Sequence, residues 1–252
     1  IYESLQGSNT GNTPESSPEW WVDIGPANIW SMFDELNSTQ TEAVDQIIVV
    51  LAPGERIDVI ALLNVYAVSA HVVATDAIDG VVFDETVNLV STGGIIDWYT
   101  YYTEPQELAG DVVFDGLPAL YANLTFTVTL SFPGQTVRCG ALIAGLAKDI
   151  GATVYGATTG IIDFSRKATD DFGNTSVTRR GYANKGNFRV VCDNVSIVSI
   201  QRLLAEFRAT PSLFIGSAAF ANTFIYGFYR DFSIAIDHPN QSNLNTELEG
   251  PL

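Results

Sequence analysis

Three consecutive segments, FRVVC (188–192), DNVSIVSIQRLLAEFRATPS (193–212) and LFIGSAAFANTFIYGFYRDFSIAI (213–236), decide the predicted fold of this chain. The middle segment predicts an amphipathic helix over about residues 195–209, because apolar residues recur there at i, i+3, i+7 and i+10 and so share one helical face. These residues are Ile197, Ile200, Leu204 and Phe207. The apolar runs on both sides are typical of strands, so the segment predicts one helix packed on an aromatic sheet.

The ends of this helix are predicted from local chemistry. A side-chain oxygen of Asn194 or Ser196 is expected to accept a backbone N–H of the first turn, which would make one of them the N-cap. Thr210-Pro211 is expected to end the helix, since the residue before a proline is pushed out of the α region. Beyond the helix, apolar residues alternate with period 2, as in half-buried strands; they are Phe224, Tyr226, Phe228, Phe232, Ile234 and Ile236.

Residues 47–150 predict a series of short antiparallel strands. Turn signals at Pro53-Gly54 and Asp79-Gly80 separate apolar runs, and residues 97–102 (DWYTYY) are predicted as an aromatic strand. Many short strands at roughly ten-residue spacing indicate a β-sandwich or jelly roll. The run IIVVLAPGERIDVIALLN (47–64), followed by an Asp-Gly turn, resembles galactose-binding-like sandwich domains.

Charge and composition exclude several function classes. The 252 residues carry 29 acidic and 12 basic side chains, a formal charge of −17, so nucleic acid and anionic membrane surfaces are not expected partners. No run of apolar residues is long enough to span a membrane. Met32 is the single methionine, and Ile1 opens on an apolar-polar pattern, so we expect that a preceding segment is missing.

The two cysteines, Cys139 and Cys192, lie in apolar runs and are predicted to be buried thiols. A disulfide between them stays open as the alternative. Two cysteines alone make no zinc site, and we expect no metal and no cofactor.

Residues 1–25 combine a tyrosine, a loop rich in Gly, Asn and Pro, and two adjacent tryptophans. This pattern resembles the second half of small chitin-binding-type carbohydrate modules, in which exposed aromatic faces stack on sugar rings. The resemblance implies that Tyr2, Trp20 and Trp21 bind a glycan. The alternative is that the tryptophans pack this small unit against the next domain.

Basic residues concentrate in one part of the chain, residues 166–185, which contains Arg166, Lys167, Arg179, Arg180 and Lys185. The sequence predicts a hairpin there, with a tight turn at residues 169–174. On an acidic protein such a hairpin is a candidate assembly arm that docks on an acidic neighbour. The alternative is an ordinary solvated hairpin.

The sequence contains no set of residues that identifies an enzyme. His71 and His238 are isolated, and the nucleophile-elbow, P-loop, zincin and dinucleotide-binding motifs are absent. Asp76, Asp79, Asp84 and Glu85 are numerous enough for a calcium site, but they lack calcium-loop spacing, so an Asp-rich turn is favoured. Asp170, Asp171 and Asn174 are interpreted in the same way. No catalytic residues are predicted, and a two-carboxylate polysaccharide hydrolase is the least favoured alternative.

Three parts of the chain resemble tail-tip, baseplate or tail-fibre-region proteins of tailed bacteriophages. They are residues 1–35, residues 160–191 (GIIDFSRKATDDFGNTSVTRRGYANKGNFRVV) and residues 201–252 without 218–223. The resemblance implies a non-enzymatic virion component that assembles with copies of itself and with neighbouring tail proteins. The alternative is a host-surface glycan-binding adhesin of the tail.

Taken together, the sequence predicts a mainly β protein in three parts. Residues 1–25 form a partial carbohydrate-module-like segment. Residues 26–150 form an antiparallel β-sandwich of jelly-roll or galactose-binding-like type. Residues 151–252 form a second β unit with the hairpin arm and the helix.

Overall fold

The computed structural model describes residues 1–91, 93, 95–103, 107–169, 172–218 and 220–251. The protein is mainly β, with several antiparallel sheets that include a curled half-barrel, and this confirms the predicted class. The strands before residue 150 are β1 (Tyr2–Ser4), β2 (Trp21–Asp23), β3 (Thr41–Leu51), β4 (Val59–Leu63), β5 (Ser69–Asp76), β6 (Gly80–Asn88), β7 (Val90–Ser91), β8 (Glu107–Leu108), β9 (Val112–Phe114), β10 (Thr125–Cys139) and β11 (Ala141–Gly145).

The remaining strands are β12 (Ala152–Thr153), β13 (Thr158–Asp163), β14 (Arg166–Thr169), β15 (Thr175–Thr178), β16 (Tyr182–Asp193), β17 (Ser212–Ile215), β18 (Phe224–Ala235) and β19 (Gln241–Glu249). The α-helices are α1 (Trp98–Thr103) and α2 (Ile197–Glu206), and short 3-10 turns lie at Asn28–Phe33, Asn194–Ser196 and Ala221–Thr223.

A four-stranded sheet and a three-stranded sheet share one hydrophobic core. Their strand orders are β3-β10-β5-β6 and β11-β4-β9, all antiparallel. Along β10 the buried residues alternate with half-buried ones, because successive side chains of a strand point to opposite faces. Phe126 from β10, Ile60 from β4 and Phe114 from β9 are buried in this two-sheet core.

The chain passes between these two sheets at Gly140, which joins β10 to β11. A Cβ atom at this position would lie 2.8 Å from both the Asn37 carbonyl oxygen and Asn64 Cβ. Glycine therefore permits the close approach that turns the chain from one sheet into the other. The turn at Asp79-Gly80 forms the β5–β6 hairpin as predicted, whereas the strands that flank Pro53-Gly54 belong to different sheets.

The third large sheet has the order β12-β16-β19-β18-β17, and β13 also pairs with β16. Helix α2 packs on this sheet through Ile200 and Leu204, which contact a cluster that includes Phe188 and Leu244. The Tyr229 hydroxyl donates a hydrogen bond to the Leu204 carbonyl oxygen at 2.7 Å, which ties the end of α2 to β18. The sheet and α2 together bury the helix–sheet core.

Ser196 is the N-cap residue of α2, as predicted, but the predicted side-chain cap bond is wrong. The Asn194 side-chain amide donates to the carbonyl oxygens of His238 and Pro239, each at 2.9 Å, and its oxygen accepts a hydrogen bond from Ser242. These distant partners occupy the Asn194 groups that would otherwise be free to cap the helix. Ser196 holds the N-cap position without a side-chain cap bond. Phe207 is the C-cap residue and is exposed, so it lies outside the buried helical face.

The predicted strand at residues 97–102 is also wrong, because these residues form α1. Asp97 Oδ1 accepts the Thr100 backbone N–H at 2.8 Å, and Thr100 Oγ1 accepts the backbone N–H groups of Ile96 and Asp97 at 3.1 and 3.0 Å. This reciprocal pairing is a helix-start arrangement in which both side chains satisfy backbone donors. It overrides the β preference of the aromatic residues.

Candidate functional site

The most unusual surface feature is a group of aromatic side chains on α1, formed by Trp98, Tyr101 and Tyr102, which we name the α1 aromatic cluster. The ring centroids of Trp98 and Tyr101 are 6.0 Å apart, those of Trp98 and Tyr102 are 6.4 Å apart, and those of the two tyrosines are 5.1 Å apart. The rings therefore pack on one another while they sit outside both hydrophobic cores.

The three rings remain largely open to solvent. Trp98 and Tyr102 are each 77% exposed, and Tyr101 is 51% exposed. Large exposed aromatic groups mark contact sites, because a ring face gains free energy when an apolar surface or a sugar C–H face covers it. The cluster is thus a candidate binding surface, fixed in place by the Asp97–Thr100 helix start. The Thr100 backbone N–H and the Thr100 hydroxyl both donate to Asp97 Oδ1, and these bonds hold the pKa of Asp97 below its ordinary value.

The predicted glycan-binding residues Tyr2, Trp20 and Trp21 lie on or beside the β1–β2 hairpin. Tyr2 pairs with Asp23, and Ser4 pairs with Trp21, so Tyr2 and Trp21 are diagonal neighbours on one face of the hairpin. Trp20 precedes β2 and lies outside this pairing. Tyr2 is exposed, both tryptophans are half-buried, and Trp21 Nε1 donates to the Asn12 carbonyl oxygen at 3.2 Å.

The five basic residues of the predicted assembly arm lie on two different parts of the structure. Arg166 and Lys167 lie on β14, which pairs with β15 to form a hairpin, and Arg179 and Arg180 follow β15. Lys185 instead lies on β16, opposite Gly160 and Glu249. Beside the hairpin, hydrogen bonds from Ser165 lower the pKa of Asp163, and Lys167 and Arg179 lower it further. Asp170 and Asp171 lie outside the described residues.

The carboxylates around the β5–β6 hairpin have separate local partners. Asp76 Oδ1 accepts the backbone N–H groups of Asp79 and Ile78 at 3.0 and 2.8 Å, and these bonds lower the pKa of Asp76. Asp79 accepts a hydrogen bond from the Tyr121 hydroxyl at 2.9 Å, and Asp84 lies 2.8 Å from His71 Nε2. Among the described residues, no group of three or more His, Cys, Asp or Glu is placed to hold a metal ion.

Both cysteines are free, buried thiols, as predicted. Burial raises the pKa of Cys139 to about 12, and burial with the nearby Asp193 raises the pKa of Cys192. Cys139 belongs to the two-sheet core and Cys192 to the helix–sheet core. A buried thiol with a raised pKa is a poor nucleophile at neutral pH.

A second exposed apolar surface lies on β3, an edge strand of the four-stranded sheet. Val44, Ile48 and Val50 are 71%, 55% and 62% exposed, and we name these three side chains the β3 surface. At one end of the strand, the Asn28 amide bonds both the backbone N–H and the carbonyl oxygen of Glu42, each at 2.8 Å. Along the rest of the strand, no other described strand pairs with β3 on its outer side.

Comparisons with known proteins add no relative, since no family model, curated protein or solved structure matches the chain. Within the described part of the chain, no helix is long and apolar enough to cross a membrane.

Neither the α1 aromatic cluster nor the β3 surface is among the sites predicted from the sequence. For α1, the signal was the spacing Asp97-x-x-Thr100, which is typical of a helix start. For β3, the signal was weaker, because a run such as IIVVL (47–51) fits a strand buried on both faces as well as an edge strand.

Proposed function

We propose that this chain is a non-enzymatic structural component of a bacteriophage tail, in the tail-tip, baseplate or fibre region, where it assembles with copies of itself and with other tail proteins. The observation that carries the proposal is the β3 surface. An edge strand presents unpaired backbone groups, and protein chains that act alone commonly protect such edges with charge. Here the solvent-facing side of the edge strand carries three exposed aliphatic side chains. The two carboxylates of β3 have partners within the sheet, since Glu42 pairs with Arg138 and Asp45 accepts the Gly134 backbone N–H.

The other edge of the same sheet supports this reading. β6 exposes Asp84 and Glu85, charges that discourage pairing with another chain. Both edges expose two carboxylates, but β3 exposes three aliphatic side chains and β6 exposes only Val81, so β3 is the edge better suited to a neighbouring subunit. For the two sheets that share the first core, we further propose a sandwich of jelly-roll or galactose-binding-like type.

Light scattering over a range of protein concentrations tests this proposal. We expect a discrete oligomer, such as a trimer or hexamer, for the natural sequence and a monomer for Ile48→Lys. The matched control is Val81→Lys, which places the same charge at an exposed valine on β6 and should leave the oligomer intact. A natural chain that stays monomeric at every concentration and binds no other tail protein would contradict the proposal.

The second candidate function is a host-surface glycan-binding adhesin, favoured by the α1 aromatic cluster. Sugar rings stack on exposed aromatic faces, and Trp98 offers the largest exposed ring of the cluster. Binding to a glycan array or to host cells should fall in Trp98→Ala if the cluster is the site. A loss in Trp20→Ala or Trp21→Ala would instead place the site on the β1–β2 hairpin, and unchanged binding in all three variants would exclude both.

A further inference from the structure

A cleft of about 370 Å³ lies on the third large sheet. Its lining residues Lys185 and Asn187 alternate along β16 with Phe188 of the helix–sheet core, so the cleft lies on the face turned away from α2. It crosses four strands, and the strand pairing fixes its layout. Gly160, Lys185 and Glu249 form one row across β13, β16 and β19, and Thr158, Asn187 and Glu247 form the next row. Arg230 enters from β18, at the point where its register with β19 shifts between Tyr229 and Asp231.

The cleft contains charges of both signs that do not pair with each other. Lys185 and Arg230 line it together with Glu247 and Glu249. Within the described ranges, the ion pairs closer than 4.0 Å involve Ile1 with Asp23, His71 with Asp84, and Arg138 with Glu42, and none involves these four side chains. Their hydrogen-bonding groups are therefore available to a ligand.

The presence of two basic and two acidic side chains in the cleft indicates the chemistry of that ligand. A simple anion would meet Glu247 and Glu249, and a simple cation would meet Lys185 and Arg230. A neutral molecule with many hydroxyl groups satisfies both sets, because each hydroxyl donates to a carboxylate and accepts from an ammonium or guanidinium group. Thr158, Thr159 and Asn187 add uncharged donors and acceptors, and the half-buried Ile162 offers an apolar contact.

We propose that this cleft binds a short neutral saccharide. The cleft volume falls within the range of small-molecule sites. Gly160 leaves room in the cleft because it has no side chain. A Cβ atom there would lie 3.4 Å from Lys185 Cε, so a larger side chain would fill the part of the cleft beside the lysine. The site is separate from the β3 surface and from the α1 aromatic cluster, and it does not depend on the assembly proposed above.

The test is an array of neutral chito-, malto- and galacto-oligosaccharides with sialylated glycans beside them, followed by calorimetric titration of the strongest neutral oligosaccharide. We expect neutral glycans to bind, and binding to weaken at least tenfold in Lys185→Ala, Glu247→Gln and Gly160→Leu. The controls Glu206→Gln and Arg202→Ala, on the exposed side of α2, should bind like the natural chain. The oligomer mass should be the same in all five variants, which separates this test from that of the assembly.

Three outcomes would overturn the proposal. The first is that no neutral oligosaccharide on the array binds. The second is that sialylated glycans bind in preference to neutral ones. The third is binding that survives unchanged in the three cleft variants, provided that circular dichroism shows each variant folded, because the saccharide would then occupy another surface.

Discussion

The two-sheet core and the helix–sheet core are built on different principles. In the first, two sheets face each other, and 21 of the described residues form one buried cluster. In the second, the ten-residue helix α2 covers one sheet. Within the part of the chain that the structure describes, the buried cluster has eight residues, of which α2 supplies Ile200 and Leu204. A smaller cluster with one covering element gives each of its contacts a larger share of the local stability. The two regions should therefore respond differently to the loss of one side chain.

The largest effect is expected for Phe126→Ala in the two-sheet core. Phe126 is fully buried on the central strand β10, so its removal leaves a cavity and should lower the free energy of unfolding by about 3–5 kcal/mol. Denaturant titration measures this change, with the exposed Leu120→Ala as control. If the free energy of unfolding falls no further than it does in the control, the two sheets must move together and fill the cavity.

Leu204→Ala tests the helix–sheet core. Its expected cost is about 2–4 kcal/mol, and we expect the loss to be local, so that amide exchange rises in α2, β16 and β19 before it rises in β10. Val198→Ala, on the exposed side of the same helix, is the matched control. Uniform exchange across both cores would mean that the two regions unfold as one unit.

Tyr229→Phe removes the hydroxyl that holds the end of α2 on β18. The Leu204 carbonyl oxygen loses its hydrogen bond, so the free energy of unfolding should fall by about 1 kcal/mol. The fully exposed Tyr155→Phe should leave it unchanged. An equal response in the two variants would show that the hydrogen bond adds nothing to the packing of α2.

Thr246→Val is expected to stabilise the helix–sheet core. Thr246 is buried on β19, and its hydroxyl oxygen has no hydrogen-bond partner among the described residues. Replacing an unsatisfied buried hydroxyl by a methyl group removes a desolvation cost, for a gain of about 0.5–1 kcal/mol. The same change at the exposed Thr86 should have little effect, and a loss of stability in Thr246→Val would point to a bound water at that hydroxyl.

Asp111 lies where the two regions meet, and its ionisation makes the stability of the folded protein depend on pH. It follows the strand pair β7–β8 and also lines a second cleft of about 230 Å³ with residues of β13, β16 and β18. Burial raises the pKa of Asp111 above its ordinary value of 3.8, although the Asn64 backbone N–H donates to it and opposes the shift. The folded protein therefore binds this proton more tightly than the unfolded chain does.

The stabilising contribution of this proton is present at acidic pH and is lost as the pH rises through the raised pKa. Asp111→Asn cannot ionise and keeps an oxygen for the Asn64 N–H. We expect this variant to unfold at a higher temperature than the natural chain at pH 7, with the difference shrinking as the pH falls toward 3.8. A difference that grows on acidification would reverse the assignment.

The fold could be predicted from sequence where one face of an element is buried. The period of Ile197, Ile200 and Leu204 predicted α2, and the alternation along residues 224–236 predicted β18, because each pattern reflects contact with a core. The prediction failed where distant partners or exposed residues decide the structure. The Asn194 side-chain amide donates hydrogen bonds to His238 and Pro239, more than 40 positions away, and no local sequence pattern predicts that contact.

The candidate sites were harder to predict than the fold for a related reason. Closeness in sequence predicts that Lys185 belongs to the basic hairpin, whereas strand pairing places it beside Gly160 and Glu249. The cleft combines residues from four strands spread over residues 158–249, and their proximity depends on strand order. The local sequence around each residue does not reveal the order of the strands in the sheet.

The position of β19 sets a condition on the sequence of folding events. β19 follows β18 along the chain, yet it lies between β16 and β18 and pairs with both. During synthesis, β16 and β18 therefore leave the ribosome before β19 does. Until β19 follows, each of them has one edge without a partner strand. We expect the helix–sheet core to form late and all at once, and a nascent chain stalled before Gln241 to need a chaperone to stay soluble.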